Sequence, residues 1–275
     1  MSDGDYGRVI RQETCSVAAV RRVAAMLDQD PDEWSEGDTL PRGWQFILLA
    51  ADTRRSAIRS DGFPGLGVPL PELGLPRLLL GGRTVRYHAD ISVGVNLRRE
   101  SKIQRLTKKD TPNGPMAILT IAHEIYMLGT IEPAIVETQT FLLLSDQPAS
   151  KKDSSLSKAP SPAHRKTVVL DETLLFQYSA LGFNSHKIHL DRAFAREKEG
   201  FPDLVVNGGL ATLYLTEFVR NELGATLNAF TAKHMAPLFC NRPIHLGADR
   251  EGDKWLLRAF DEGGHTALEI EAEAP

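Results

Sequence analysis

Apolar residues recur at helical spacing over Ser16–Leu27. Val17, Val20, Val23, Ala24 and Leu27 share one face there, and Ser16 is placed to cap the first turn. A short extended piece, Arg8–Arg11, precedes this helix. Asp61–Gly82 carries Gly62, Gly65 and Gly67 with Pro64, Pro69, Pro71 and Pro76, so it is expected to hold no long regular element. Gly81-Gly82-Arg83 reads as a turn. Three strand patterns follow, Thr84–Val93, Ala117–Met127 and Ala134–Leu144. Their alternation and β-branched residues suit a sheet covered on one face.

The second half begins with a strand pattern, Lys166–Leu170. Asp171 then caps a predicted helix that runs to Leu181. After a loop with two histidines, Val205-Val206-Asn207-Gly208-Gly209 leads into a second helix, Leu210–Leu223. Leu213, Leu215, Phe218 and Val219 are its apolar positions and Gly224 its stop. Thr226–Glu273 reads as three or four antiparallel strands with turns at Asp249–Gly252 and Asp261–Gly264. Between the halves lies a stretch rich in Ser, Pro and Lys with little to bury. The chain therefore divides into residues 1–148, a linker at 149–165, and residues 166–275. Each half combines a helical segment with a curled antiparallel sheet, an α+β layout. The absence of βαβ alternation argues against a doubly wound nucleotide-binding fold.

Composition narrows the function classes. The 275 residues are 42% hydrophobic and 25% charged, with a formal net charge of −4. Such a chain can bury a core. It lacks the basic surplus of a nucleic-acid binder, although a local cationic cluster can still meet an anionic ligand. No apolar run has the length of a membrane span. Met1–Arg8 has no apolar core of a secretory signal and is not the Arg- and Ser-rich kind of presequence. Cys15 and Cys240 are far apart and have no metal-type spacing, which fits free thiols in a reducing compartment. A cytoplasmic protein is expected.

The loop between the two second-half helices holds the candidate chemistry. His186 and His189 are the residues in it that titrate near neutrality. They lack the Glu of a zinc-type helix motif and have no nearby Cys, so no metal is expected. A purely structural pair is the competing reading. Gly208-Gly209 can present helix amides to an anion or simply serve the turn. Lys151-Lys152 and Arg98-Arg99 read as solvated surface, and His123-Glu124 as structural residues on a strand.

Phe176-Gln-Tyr-Ser-Ala-Leu-Gly-Phe-Asn-Ser-His-Lys-Ile-His-Leu-Asp-Arg-Ala-Phe-Ala195, with Gly200-Phe-Pro-Asp-Leu-Val-Val-Asn-Gly-Gly-Leu210, resembles the MaoC-like enoyl-thioester hydratases and dehydratases. Trp44, Gly81-Gly82-Arg83, Gly114-Pro115 and His123-Glu124 extend the resemblance over most of the chain. The nearest branch is that of the mesaconyl-CoA hydratases and fungal hydroxyacyl-thioester dehydratases. The resemblance implies a double hotdog fold, its first unit having a degenerate central helix that leaves room for an acyl chain. It places the catalytic pair at Asn184, where the family has Asp, and His189. Gly208 and Gly209 would bind the thioester oxygen, supported by Ser179, His186 and Asn207, the last standing where the family usually has His. Lys187 and Arg192 are the candidates for a CoA phosphate.

The implied activity is that of a hydro-lyase on the C=C bond of an acyl thioester, with a branched dicarboxylic enoyl-CoA of the mesaconyl type as leading substrate. A 3-hydroxyacyl-acyl carrier protein dehydratase, a non-catalytic thioester-binding hotdog protein and a hotdog thioesterase are the alternatives. CoA or phosphopantetheine belongs to the substrate, so no separate cofactor is expected. A homodimer is compatible with this reading.

Overall fold

In the computed structural model, residues 7–112, 114–145 and 161–274 are described. Among them the first half contributes β1 (Arg8–Thr14), α1 (Val17–Met26), β2 (Arg77–Tyr87), β3 (Asn96–Thr111), β4 (Gly114–Met127) and β5 (Ile135–Leu144). The second half contributes β6 (His164–Val169), α2 (Glu172–Leu181), α3 (Gly208–Glu222), β7 (Ala229–His234), β8 (Pro243–Glu251), β9 (Lys254–Phe260) and β10 (Thr266–Glu273). All strand pairs are antiparallel and form one ten-stranded sheet in the order β1-β3-β4-β5-β2-β7-β10-β9-β8-β6. The halves meet at β2 and β7, in register from Gly82↔Lys233 to Arg86↔Ala229.

The sheet serves one helix above all. Nine of the fifteen residues of α3 are buried, among them Leu210, Leu213, Leu215, Phe218 and Val219. Such a helix has no wide polar face to give to water, so it must be enclosed. It shares one core cluster with Val85, Ile125, Phe230, Leu257 and Ile270 from both halves of the sheet. Among the described residues, the first half has no equivalent helix. Its 3₁₀ turn Trp44–Leu48 packs into the α3 core. The glycine- and proline-rich stretch instead lays Leu66, Val68, Leu70, Leu73 and Leu75 over a second apolar cluster on β3, β4 and β5, built from Ile103, Leu119, Ile121 and Phe141.

Glu217, buried on α3, fastens the first half to the helix. Its carboxylate accepts hydrogen bonds from the indole N–H of Trp44 at 2.8 Å and the amide of Gln29 at 2.9 Å, and from Arg220 and Asn221 on its own helix. Gly43 beside it needs its φ of 111°, and a Cβ there would collide with Thr216.

Several sequence expectations need correction. Gly81-Gly82-Arg83 is not a turn but lies inside β2, where the register slips between Leu80 and Gly82 as a bulge. That strand starts at Arg77, within the segment expected to be irregular, and ends at Tyr87 rather than Val93. Beyond it the chain turns so that Ile91 and Val93 can enter the core. β3 went unpredicted, because six Lys and Arg residues mask the alternation of Leu97 and Ile103. Arg99 on that strand is not solvated surface. It is 3% exposed and donates to the carbonyls of Leu48 and Ala50. Ser16 occupies the cap position of α1 without a side-chain cap bond. Most of the expected linker, residues 149–160, lies outside the described residues, as do Lys151-Lys152. β6 begins at His164, inside its far end.

Glu217→Ala is expected to lower folding stability by about 3 kcal/mol, because it strands the Trp44 indole and the Arg220 charge. Denaturant unfolding with an unchanged m-value checks this.

Candidate active site

Asp171 starts the active-site segment by accepting the Leu174 N–H at 2.8 Å, which caps α2. The helix ends at Gly182, and Phe183 takes a left-handed turn with φ of 49°. Asn184 then closes an Asx turn: its Oδ1 accepts the His186 N–H at 3.1 Å. Lys187–His189 form a single 3₁₀ turn that leaves His189 buried.

His189 is held by one hydrogen bond that also settles its tautomer. Nδ1 lies 2.7 Å from the Val205 carbonyl, which can only accept, so Nδ1 carries the proton and Nε2 keeps its lone pair. The Val205 N–H in turn donates to the Ile188 carbonyl at 2.9 Å, locking the two segments together. Burial pushes the His189 pKa down to about 3; the Val205 bond opposes this and nearby His186 adds to it. His186 stands perpendicular to His189, ring centroids 5.6 Å apart. Burial lowers its pKa to about 4, opposed by Asp61 3.9 Å away. Both rings are therefore neutral at pH 7.

Ser179 joins this loop to α3. Its carbonyl accepts the Asn184 N–H at 2.7 Å and its Oγ accepts from Asn207 Nδ2 at 3.2 Å. Asn207 precedes α3 without capping it, so the first amides of α3 have no partner within the helix. The other amide atom, Asn207 Oδ1, is buried with no hydrogen-bond partner. Two groups wall the first turn of α3. A Cβ at Gly209 would run into the Tyr178 hydroxyl, and one at Gly208 would stand 3.1 Å from both His234 Cε1 and Leu80 Cδ2. Glycine is thus required where the backbone must stay open. Phe46 stacks on Tyr178 at 4.5 Å.

Hydrogen bonds link Asn184 to His186 and Ser179, Ser179 to Asn207 directly before Gly208 and Gly209, and His189 to Val205 two residues before Asn207. The structure gives the two expected phosphate cations other partners. Lys187 Nζ donates to the Ser60 carbonyl at 2.7 Å. The Arg192 guanidinium lies between Asp203 at 2.7 Å and Glu172 at 3.2 Å, so its charge is already matched. A groove of about 350 Å³ on the β2–β7 seam, lined by Thr84, Arg86, Thr231 and Glu273 among others, contains none of the expected site residues. Among the described residues, no three His, Cys, Asp or Glu side chains stand together as a metal site, and no helix is long and apolar enough to cross a membrane.

The profile of the hydroxyacyl-thioester dehydratase type 2 family matches residues 43–240. The chain belongs to this family. As a member of the hydroxyacyl-thioester dehydratases it is a hydro-lyase acting on thioester substrates. It is 32% identical to the mesaconyl-C(4)-CoA hydratase of Chloroflexus aurantiacus over 99% of both chains. Among solved structures it is similar to HtdX of Mycobacterium tuberculosis, with TM-score 0.68 and 15% identity, covering 97% of this chain and 99% of that one. It is also similar to RV0216 of the same organism, described as a double hotdog fold, with TM-score 0.57, 15% identity and coverage of 100% and 96%. The fold is a double hotdog.

Sequence reasoning missed the first-half loop that buttresses this candidate site. Ser185 Oγ donates to the Gly62 carbonyl at 2.7 Å, and the Lys187 N–H to the Asp61 carbonyl at 2.9 Å. A Cβ on Gly62 would strike the Ser185 carbonyl. The glycine-rich composition of residues 61–67 was visible, but not what it packs against.

Because burial favours the neutral ring, His189 is expected to remain the Nδ1–H tautomer from pH 8 down to about pH 5. Imidazole ¹⁵N shifts check this, and a titration near the ordinary 6.5 would contradict it. The sign for stability follows. Unfolded His189 and His186 bind protons below 6.5 while the folded ones do not, so stability falls as pH drops from 6.5 toward 4.

Proposed function

We propose that the enzyme adds water across the double bond of a short, branched dicarboxylic enoyl-CoA of the mesaconyl type, with His189 as acid and base. The observation that carries this reading is the neutral His189 ring, pinned through Nδ1 to Val205 and left with a free Nε2, in the segment joined to the open first turn of α3. The similarity to mesaconyl-C(4)-CoA hydratase supports the acyl class.

The chemistry needs a base for water, an acid for Cα and a home for enolate charge. Nε2 of His189 takes a proton as the water oxygen bonds to Cβ. The C=C electrons move toward Cα and the thioester oxygen. The N–H groups of Gly208 and Gly209 and the positive end of α3 stabilise the negative charge on that oxygen. The imidazolium then returns the proton to Cα, giving a 3-hydroxyacyl thioester. A depressed pKa suits the second half of this cycle, since it makes the imidazolium a strong acid. Asn184 orients water or substrate through its amide and cannot itself exchange the proton.

His189→Ala is expected to lower kcat at least about a hundredfold on an enoyl-CoA substrate, the usual scale of acid–base assistance. A folded variant with near wild-type turnover would refute the assignment. Asn184→Ala is expected to lose most activity, whereas Asn184→Asp should keep a measurable part and add an ionisation to the pH–rate profile. The wild-type profile is expected to show no loss as pH falls through 6.5.

A further inference from the structure

The inner face of the first half carries a row of polar groups where a hotdog unit would bury apolar ones. Ser101, His123 and Glu137 are cross-strand neighbours on β3, β4 and β5, and all three are buried. Ser101 Oγ lies 2.8 Å from His123 Nδ1. Arg83 on β2 extends the row, its Nε 3.2 Å from Glu137 Oε1 and its side chain 9% exposed. On one side of this row stand Val85, Ile125 and Ile135 of the α3 core; on the other stand Ile121 and Phe141 of the second apolar cluster. Among the described residues of the first half, no central helix covers it.

Glu137 is well satisfied. It accepts from Gln45 Nε2 at 3.1 Å and Gln139 Nε2 at 2.7 Å as well as pairing with Arg83. Arg83 is not. Its Nε is buried without a properly aligned hydrogen bond, and no other polar partner engages its fork among the described residues. Seven buried side-chain polar atoms in the described residues lack partners, and three of them are Arg83 Nε, His234 Nε2 and Asn207 Oδ1. These three gather around one place. Arg83 is paired with Ala232 on β7, His234 lies on the same face two residues on, and its ring touches the position of a Gly208 Cβ; Asn207 is the residue before Gly208. Buried donors are rarely left unmade, because each costs about 1–3 kcal/mol.

We infer that Arg83, with His234 beside it, is the receptor for the second carboxylate of the acyl group. This rests on the proposed function and adds the residue that reads the acyl chain. The guanidinium offers a planar fork that matches a carboxylate. Glu137 braces Arg83 from behind and keeps the buried pair neutral until the ligand arrives. Same-face neighbours on a strand stand about 6.6 Å apart. That spacing puts Arg83 one short acyl chain away from a thioester held at Gly208, and a long fatty chain would have to pass a charged group.

The test compares two enoyl-CoA substrates of equal size, one ending in carboxylate and one ending in methyl. In the wild type, kcat/KM is expected to be at least about a hundredfold higher for the carboxylate. Arg83→Met is expected to remove that preference while changing the methyl-ended substrate less than about threefold. Because Arg83→Met leaves Glu137 unpaired, the double variant Arg83→Met/Glu137→Gln is measured beside it, with the same expectation. A wild type without preference, or equal losses on both substrates in the folded double variant, overturns the inference and leaves hydration standing. A wild type that hydrates neither substrate overturns the proposed function itself.

Discussion

Enclosing α3 is the constraint on which the rest of the structure depends. A helix with nine buried residues of fifteen cannot stand at a surface, and neither half of the sheet alone surrounds it. The β2–β7 pairing makes one sheet of the two halves, and Glu217 draws Trp44 and Gln29 of the first half onto the helix. Enclosure leaves one end special. The first turn of α3 begins in glycines and lacks a side-chain cap, so its amides stay available at the edge of an apolar core. The segment around that turn holds Ser179 through Asn207 and His189 through Val205, and His234 lies beside Gly208.

Electrostatics in this place are set by burial. His189 and His234 are both pushed down to about 3 by burial, and His123 to about 4. Neutral imidazoles can sit in a low-dielectric region that would reject imidazolium. The charge that does reside there, on Arg83, is admitted together with Glu137. The place thus combines neutral imidazoles, one buried ion pair and a set of helix amides with unspent hydrogen-bonding capacity.

The second half was the more legible in sequence. α3 follows the 3.6-residue spacing of its apolar residues, Asp171 caps α2 as expected, and Gly224 ends α3 with φ of 62°. Four strands stand where three or four were expected. The first half hid more, for physical reasons. Inward-facing Arg99, Ser101, His123 and Glu137 break the hydrophobic alternation that identifies a strand, because tertiary partners or a ligand site, not apolar packing, occupy that face. The Gly81-Gly82 pair looked like a turn and is a bulge in β2. For the site, local motif order brought the histidine loop and the helix start together. Asp61, Gly62, Arg83 and His234 join them only through the fold, and sequence spacing carries no trace of that.

The central claim is that water is added at the β-carbon while the thioester survives. The most direct measurement is mass analysis of the product formed from an enoyl-CoA in ¹⁸O-labelled water. The account predicts one heavy oxygen on the acyl chain of an intact 3-hydroxyacyl-CoA. Free CoA with the label in a released carboxylate, from an acyl chain that keeps its double bond, would contradict it.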